Sequence, residues 1–550
     1  MKKILFFAFI VMMVFVIAGC VRSQDVEEGA KTFTFIRGGD PVTLDRGRSV
    51  DNMSAIALYY SQTQLFRPIG DVLEPDGALS MDVSQDGMTI TFNLRPGLVW
   101  ADGQPLTAHH YAYAFLKILE PESANAGANV FYPIRGAEEF NMGRGRKEDV
   151  AVLVPNDLTL TIQLSRPSPT IYSSLQTMTP IRPDIAESFG ISYGSSPETF
   201  LSSGPYILSA WDYDQSITFT KNPLFWNASN VHITELRWLT FSDPTAQRNF
   251  FDAGEADYYQ PRDVGVWERY AHSQKGAYPQ SGGNFLQFNF SNASNPQASR
   301  ILANRNFRMA LSYSINRQPL INATNPGYAA DTRLIQPGTP SVRGNWGDAY
   351  QNIVTPATAD PARARQFMDV ALRELGIASA SDLPEFSFLF FDVPTYRAYA
   401  EHFIDAWESI LGITSVSLTI LPVPQAIQRA MSGQFDMYIA GLTRTEDPFT
   451  FYELLSVGGA ANWGAWERMH EFTDMLMATN YIVDPRERQD ALFQCELFFD
   501  QHGFIIPLWS YGSIYVISDS SQMTGYLFST FNNPESQFLY ANIAYDSERR

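Results

Sequence analysis

Few groups of side chains in this sequence have the types and spacing that chemistry needs. Gly190-Ile191-Ser192-Tyr193-Gly194 satisfies G-x-S-x-G, the pattern of a hydrolase nucleophile elbow. That device needs a strand before the serine and a helix after it. Here residues 183–189 read as helix and Ser195-Ser196-Pro197 as loop, so Ser192 lacks the setting. His109 and His110 are adjacent, do not share a helix face, and have no Cys or third His nearby to complete a zinc set. Carboxylates are plentiful, but no pair stands in an aromatic context of the kind glycoside hydrolysis uses. Leu492, Cys495 and Phe499 fall at i, i+3 and i+7, one apolar helix stripe, which makes Cys495 a small core residue rather than a reactive thiol. Arg444-Thr445-Glu446-Asp447-Pro448 sets a guanidinium beside two carboxylates. It suits a fork for a ligand carboxylate, and equally an ion pair within a solvated loop. These residues predict binding rather than catalysis, with no metal and no cofactor.

The N-terminus carries an address. Lys2 and Lys3 precede an apolar run from Ile4 to Ile17, and Ala18-Gly19-Cys20 follow. A positive start, a short apolar stretch and small residues read as a secretory signal, too short for the roughly 20 residues of a membrane span. The Cys after Ile17-Ala18-Gly19 resembles the bacterial lipobox, which implies that Cys20 is lipidated and becomes the first mature residue. Residues 1–19 are then the signal peptide, 20–29 a polar tether, and the membrane is reached through the lipid. Removing the signal takes two lysines from a formal net charge of −19, leaving −21. With Cys20 lipidated, Cys495 has no disulfide partner.

That acidity argues against a nucleic-acid partner, which needs a basic face to meet phosphates. With 45% hydrophobic and 18% charged residues, the chain of 550 can bury a large core and is not a disordered acidic tail. At roughly 150 residues per domain, three to four domains are expected.

The elements that must position any site alternate along the chain. Met88, Ile90, Phe92 and Leu94 alternate with polar residues, as do Leu158, Leu160, Ile162 and Leu164. Residues 217–219 and 416–420 read as further strands. Asp243-Pro244, Asp360-Pro361 and Asp484-Pro485 each offer an N-cap carboxylate and a proline at N1, with Gly254, Gly376 and Gly503 as the corresponding stops. Strands and helices alternating over five hundred residues predict an α/β protein with more than one sheet.

The most specific stretch is residues 81–119, MDVSQDGMTITFNLRPGLVWADGQPLTAHHYAYAFLKIL. Its order of turns, strand and helix resembles the signature of the extracytoplasmic solute-binding proteins of family 5, the oligopeptide- and dipeptide-binding lipoproteins of ATP-driven (ABC) importers. The resemblance continues in Ser203-Gly204-Pro205-Tyr206, Lys221-Asn222-Pro223 with Phe225-Trp226, and the run from Phe251 to Asp257. It continues in Phe288-Asn289, in the run from Phe307 to Leu311, and in Ile315-Asn316-Arg317. Gln434-Phe435-Asp436-Met437 and Pro507-Leu508-Trp509 close a collinear series from about residue 32 to about 526. Residues 120–164 resemble, more loosely, the extra domain of the oligopeptide branch.

This resemblance implies the two-lobed periplasmic-binding-protein fold of class II, cluster C type, with a third small domain inserted in lobe I. Lobe I is expected from 30–70, 190–281 and 504–550, the insertion from 71–189, and lobe II from 282–503. A peptide would lie extended in the cleft, paired by its backbone near Asp51, Asn52 and Met53 on one side and Ala440, Gly441, Leu442 and Thr443 on the other. Trp463 is the leading aromatic for the cavity wall, with Tyr59, Tyr60 and Trp100 as further candidates. The family carries an Asp for the peptide amine near the position of Arg444. The departure implies an amine clamp moved to Glu446 or Asp447, or absent. A second departure puts His109-His110 where the family has acidic residues, so His110 gives the helix capped by Thr107 weaker support. The implied partners are a peptide and the permease subunits of the importer, and the implied state is a monomer in the bacterial envelope. Readings from other classes are an envelope enzyme, the same fold holding a dipeptide, nickel chelate or oligosaccharide, and a sensor or chaperone without transport.

Overall fold

The computed structural model describes Lys31 to Tyr545, apart from residues 71, 262, 273–274, 292, 294–295, 323–326, 354, 393, 445–446, 465–468, 519–520, 525–537 and 539–540. Cys20 and Glu446 thus lie outside the described residues, and so does the address segment.

One long mixed sheet forms the spine. Its order is Val416–Leu421, Phe386–Phe391, Met437–Thr443, Lys275–Phe288, Ile505–Ile517, Tyr258–Tyr259, Thr32–Arg37, Glu235–Thr240, Ser216–Lys221 and Tyr206–Asp212. The short strand Ala329–Ala330 adds to Ile505–Ile517 off this path. Parallel pairing occurs at both ends, between Phe386–Phe391 and its neighbours and between Thr32–Arg37 and its neighbours. The two longest strands, Lys275–Phe288 and Ile505–Ile517, run antiparallel through the middle. They carry the sheet from one half of the molecule to the other. The central strands are nearly continuous runs of buried residues, as expected where both faces are covered.

The crossing pair is irregular where the halves meet. Pro279 pairs with Gly512 and pairing resumes only at Gly283 with Ser510, so residues 280–282 bulge opposite Tyr511. Glycine is required nearby by close approach: a Cβ on Gly512 would lie 1.8 Å from the carbonyl oxygen of Gly327.

A second sheet of four antiparallel strands stands apart, in the order Ala78–Val83, Thr89–Leu94, Thr159–Gln163 and Val152–Asn156. Its centre alternates as the sequence predicts: Ile90, Phe92, Leu94, Leu160 and Ile162 are buried, and the residues between them are not. The helix Ala108–Leu119 covers the buried face through Tyr111, Phe115 and Ile118. Its N-terminus is closed by a capping box in which the Thr107 amide donates to His110 Nδ1 at 3.0 Å. Burial, with the Arg182 guanidinium nearby, pushes the imidazole down to about 4, so His110 accepts that bond as a neutral ring. Val99 forms a single bridge to Pro105, and Trp100 is fully buried.

The helices start and stop where their caps lie. Asp243, Asp360 and Asp484 accept from the first-turn amides of Pro244–Asp252, Pro361–Leu375 and Pro485–His502. Gly376 and Gly503 end the last two in the left-handed conformation. The region of G-x-S-x-G has helix Pro183–Phe189 before it and a short turn at Gly190–Ser192, not a strand and a helix.

The core divides with the sheet. One cluster joins Phe33 and Trp238 of the spine, and Tyr60 of the helix Asn52–Ser61, to Phe92, Trp100 and Phe115 of the four-stranded unit. In the other half, Phe307, Phe388, Trp407 and Trp509 pack on one face of the sheet, and Phe285, Tyr452, Cys495 and Phe499 on the other. Cys495 is a core residue as expected, its thiol pushed up to about 12 by burial. Among the described residues no helix is long and apolar enough to cross a membrane.

Candidate functional site

Met437–Thr443 is the strand on which the expected site rests, and its two edges are unlike. One edge pairs with Lys275–Phe288 along all seven residues, from Met437 with Phe288 to Thr443 with Gly282. The other meets Phe386–Phe391 only at Met437 and Tyr438. From Ile439 to Thr443 that second edge has no strand partner among the described residues. Ala440 and Leu442 are buried, whereas Gly441 and Thr443 are exposed.

Tyrosines gather beside this edge. A Cβ on Gly441 would lie 2.5 Å from the Tyr511 hydroxyl, so only glycine leaves that approach open. Tyr511 shares a hydrogen bond with Tyr396, which is pushed up to about 12 by burial. Asn284, opposite Gly441 in register, donates from Nδ2 to the Tyr396 hydroxyl at 3.1 Å. Tyr328 packs on Tyr511 at 5.8 Å between ring centroids. These neutral phenols can donate and accept hydrogen bonds but hold no fixed charge. Nothing in their spacing announces them: they come from distant segments and meet only in the fold. Trp463 lies near, half-buried on Tyr438 at 5.9 Å, its Nε1 donating to the Ala460 carbonyl at 2.6 Å.

The expectations for Arg444 need correction. It is neither a fork open to ligand nor a partner of Asp447 in a solvated loop. Its side chain is 1% exposed and pairs with Asp331, itself 4% exposed, at 2.5 Å. It donates further to the carbonyls of Leu334, Arg333 and Gly282 at 2.5, 3.0 and 3.4 Å, and its own amide donates to Ser281 O at 2.5 Å. Gln336 Nε2 takes the carbonyl of Gln280. Together these bonds satisfy the carbonyls of the bulge at 280–282, which the strand ladder leaves without partners. Arg444 therefore positions the crossing strands. Asp447 is also engaged: it caps the helix Pro448–Leu455 through the Phe449 amide and pairs with Arg488 at 2.8 Å.

On the other side of the molecule, Asp51 to Met53 is not an extended segment ready to pair. Asp51 caps the helix Asn52–Ser61, accepting from the Ser54 amide at 2.8 Å and its hydroxyl at 2.5 Å, and Asn52 and Met53 form the first turn. A capping carboxylate followed by Ser and a run of helix formers favours this start over a strand. Asp51 instead lines a cavity of about 270 Å³ shared with Arg46, Tyr59, Gln64 and Thr179. Tyr59 thus reaches a cavity wall, whereas Tyr60 and Trp100 are fully buried.

The sequence matches the bacterial extracellular solute-binding proteins of family 5 over residues 72–463. It is 27% identical over 487 residues to the oligopeptide-binding protein OppA of Bacillus subtilis strain 168, covering 87% of each chain. In structure it is similar to the substrate-binding domain of an oligopeptide ABC transporter from Bacillus anthracis, with a TM-score of 0.65, 22% identity and coverage of 94% and 99%. It is also similar to the periplasmic murein tripeptide binding protein MppA in its unliganded open form, with a TM-score of 0.79, 19% identity and coverage of 95% and 99%. The mixed α/β fold is the periplasmic-binding-protein fold of cluster C, as the motifs predict. With residues 72–463 matched and that fold around them, the chain belongs to the bacterial extracellular solute-binding proteins, family 5.

Proposed function

We propose that this protein is a lipid-anchored receptor of the bacterial envelope that binds peptides, of oligopeptide length, and delivers them to an ABC-type permease. The observation that carries this reading is the unpaired edge from Ile439 to Thr443. A sheet edge with free N–H and C=O groups takes an extended chain as an added strand, and recognition then comes from the backbone rather than from side chains. The tyrosines beside it offer hydrogen bonds without charge, which tolerates varied ligand sequences.

The lobes of this receptor are residues 30–70, 190–281 and 504–550 on one side and 282–503 on the other, with 71–189 inserted in the first. Hinge motion at the crossing strands would close them over ligand. Cys20, after the small residues that end the apolar leader, carries the lipid, and the protein works as a monomer. With Arg444 and Asp447 engaged elsewhere, the amine clamp of related receptors is not rebuilt from those two residues.

A thermal-shift screen of the mature protein against pools of di- to hexapeptides, with and without blocked amino termini, tests this. A ligand at 100 times its dissociation constant adds about 2.7 kcal/mol of stability. Peptide pools are expected to raise the melting temperature, with blocked and free amines acting alike. A shift by an oligosaccharide or a metal chelate and by no peptide would refute the reading.

A further inference from the structure

The cavity beside Asp51 is lined by a charged group that nothing among the described residues neutralises. Arg46 lines it, and among the described residues no hydrogen-bond acceptor or carboxylate pairs with its guanidinium. The acids nearest in sequence are taken. Asp45 pairs with Lys117 at 3.9 Å and accepts from the Gly47 amide at 2.9 Å, and Asp51 holds Ser54 through both oxygens. Arg46 is half-buried, and its partial burial lowers its pKa.

Two more lining residues leave polar atoms unmatched. Gln64 Oε1 and Thr179 Oγ1 are buried without a hydrogen-bond partner, in residues 8% and 2% exposed. Orphaned buried groups of this kind are few in folded proteins, because each costs the free energy of its lost hydration. Two such residues beside a half-buried guanidinium with no partner among the described residues give this cavity a polar wall. Its size, about 270 Å³, is below that of a pocket for a whole drug-sized ligand and suits one side chain or chain end. Ile56 supplies apolar wall for the methylenes of such a group.

We propose that Arg46 is a specificity residue that receives a carboxylate of the bound peptide, so that ligands bringing an acidic group into this cavity are preferred. This rests on the peptide-receptor reading above. A guanidinium takes a carboxylate as a bidentate, charge-assisted pair, which supplies the neutralising partner that Arg46 lacks. The carboxylate can belong to a glutamate or aspartate side chain or to the peptide C-terminus.

The test measures dissociation constants of the mature protein and of Arg46→Gln for matched tetrapeptide sets. One set exchanges Glu for Gln at each position, and the other exchanges a free C-terminal acid for its amide. The wild-type protein is expected to prefer one acidic member about tenfold or more. Arg46→Gln should abolish that preference while neutral peptides bind within twofold of wild type. Loss of the Glu-over-Gln ratio assigns the side chain, and loss of the acid-over-amide ratio assigns the C-terminus. Arg46→Lys, which keeps charge but not the fork, should retain only part of the preference. Neutral peptides binding normally with both ratios unchanged in Arg46→Gln would overturn the role of Arg46 alone. If wild type binds no peptide at all, the receptor reading itself falls, and this proposal with it.

Discussion

Arg444 and Arg46 stand in opposite conditions in the two halves of the molecule. Arg444 is enclosed, paired with Asp331, and bonded to three carbonyls around the bulge of the crossing strands. Arg46 faces a cavity with no counter-ion. The first has four of its five N–H donors held by its own protein and its side chain 1% exposed, so it is not open to a ligand. The second is half-buried and has no partner among the described residues, so its donors remain open to what enters the cavity. A cation whose partners are built in holds structure, and one whose partner is missing selects what arrives.

Arg444→Met should break the comparison most visibly. It leaves Asp331 charged and buried and takes the side-chain donor from the carbonyls of Gly282, Arg333 and Leu334, a loss of about 3–5 kcal/mol, read as a lower midpoint in urea. Pairing it with Asp331→Leu should recover much of that loss. A single variant as stable as wild type would mean that the pair contributes nothing to the hinge.

Next in size is Gly441→Val. Its Cβ would sit 2.5 Å from the Tyr511 hydroxyl, at the unpaired edge. Peptide affinity should fall about tenfold or more, about 1.4 kcal/mol, by calorimetric titration, with the unfolding midpoint nearly held. Undiminished affinity would move the ligand away from this strand.

His110 supplies a third case, a group whose charge the fold excludes. Its folded pKa, about 4, lies below the ordinary imidazole value of 6.5. Between those values the unfolded chain takes up the proton and the folded chain resists. The contribution of the neutral ring is therefore complete above pH 6.5 and is lost as pH falls towards 4, with no further loss below. The loss should be about 1 kcal/mol after solvent screening of a partly exposed ring. His110→Gln, which can still accept from the Thr107 amide, should flatten this part of the stability profile. An unchanged profile would assign the pH dependence to other groups.

The smallest effect sharpens the contrast with Arg444. Arg46→Gln should change stability by no more than about 0.5 kcal/mol, since no internal partner is lost. A large destabilisation would show that Arg46 is a structural cation after all.

What was legible in the sequence is mainly scaffold. The ordered motifs turn out to be internal fasteners: Asn222 Nδ2 donates to Gly204 O at 2.8 Å, and Asp257 accepts from the Thr34 amide at 2.7 Å. Arg317 donates to Pro507 O and Pro356 O at 2.8 and 2.7 Å. Such fasteners need particular residues at particular positions, so they leave recognisable words. The strand holding Ala440 to Thr443 was legible in the same way, and so was Cys495 in its helix stripe. Asp51 followed by Ser54 spells a helix start, so of the segment Asp51 to Met53 only the cap itself keeps extended backbone. Arg444 was misread because its true partner, Asp331, is 113 residues away.

Taken alone, the sequence determined the caps and stops of the helices, the alternating strands of the four-stranded sheet, the acidic charge and the family. Each depends on neighbours a few residues apart or on an order of motifs along the chain. Tertiary structure decided which edge of Met437–Thr443 stays open, which tyrosines surround it, and which of two arginines is satisfied. Those outcomes are set by groups brought together from distant segments, and burial with its missing or present partner has no local spelling.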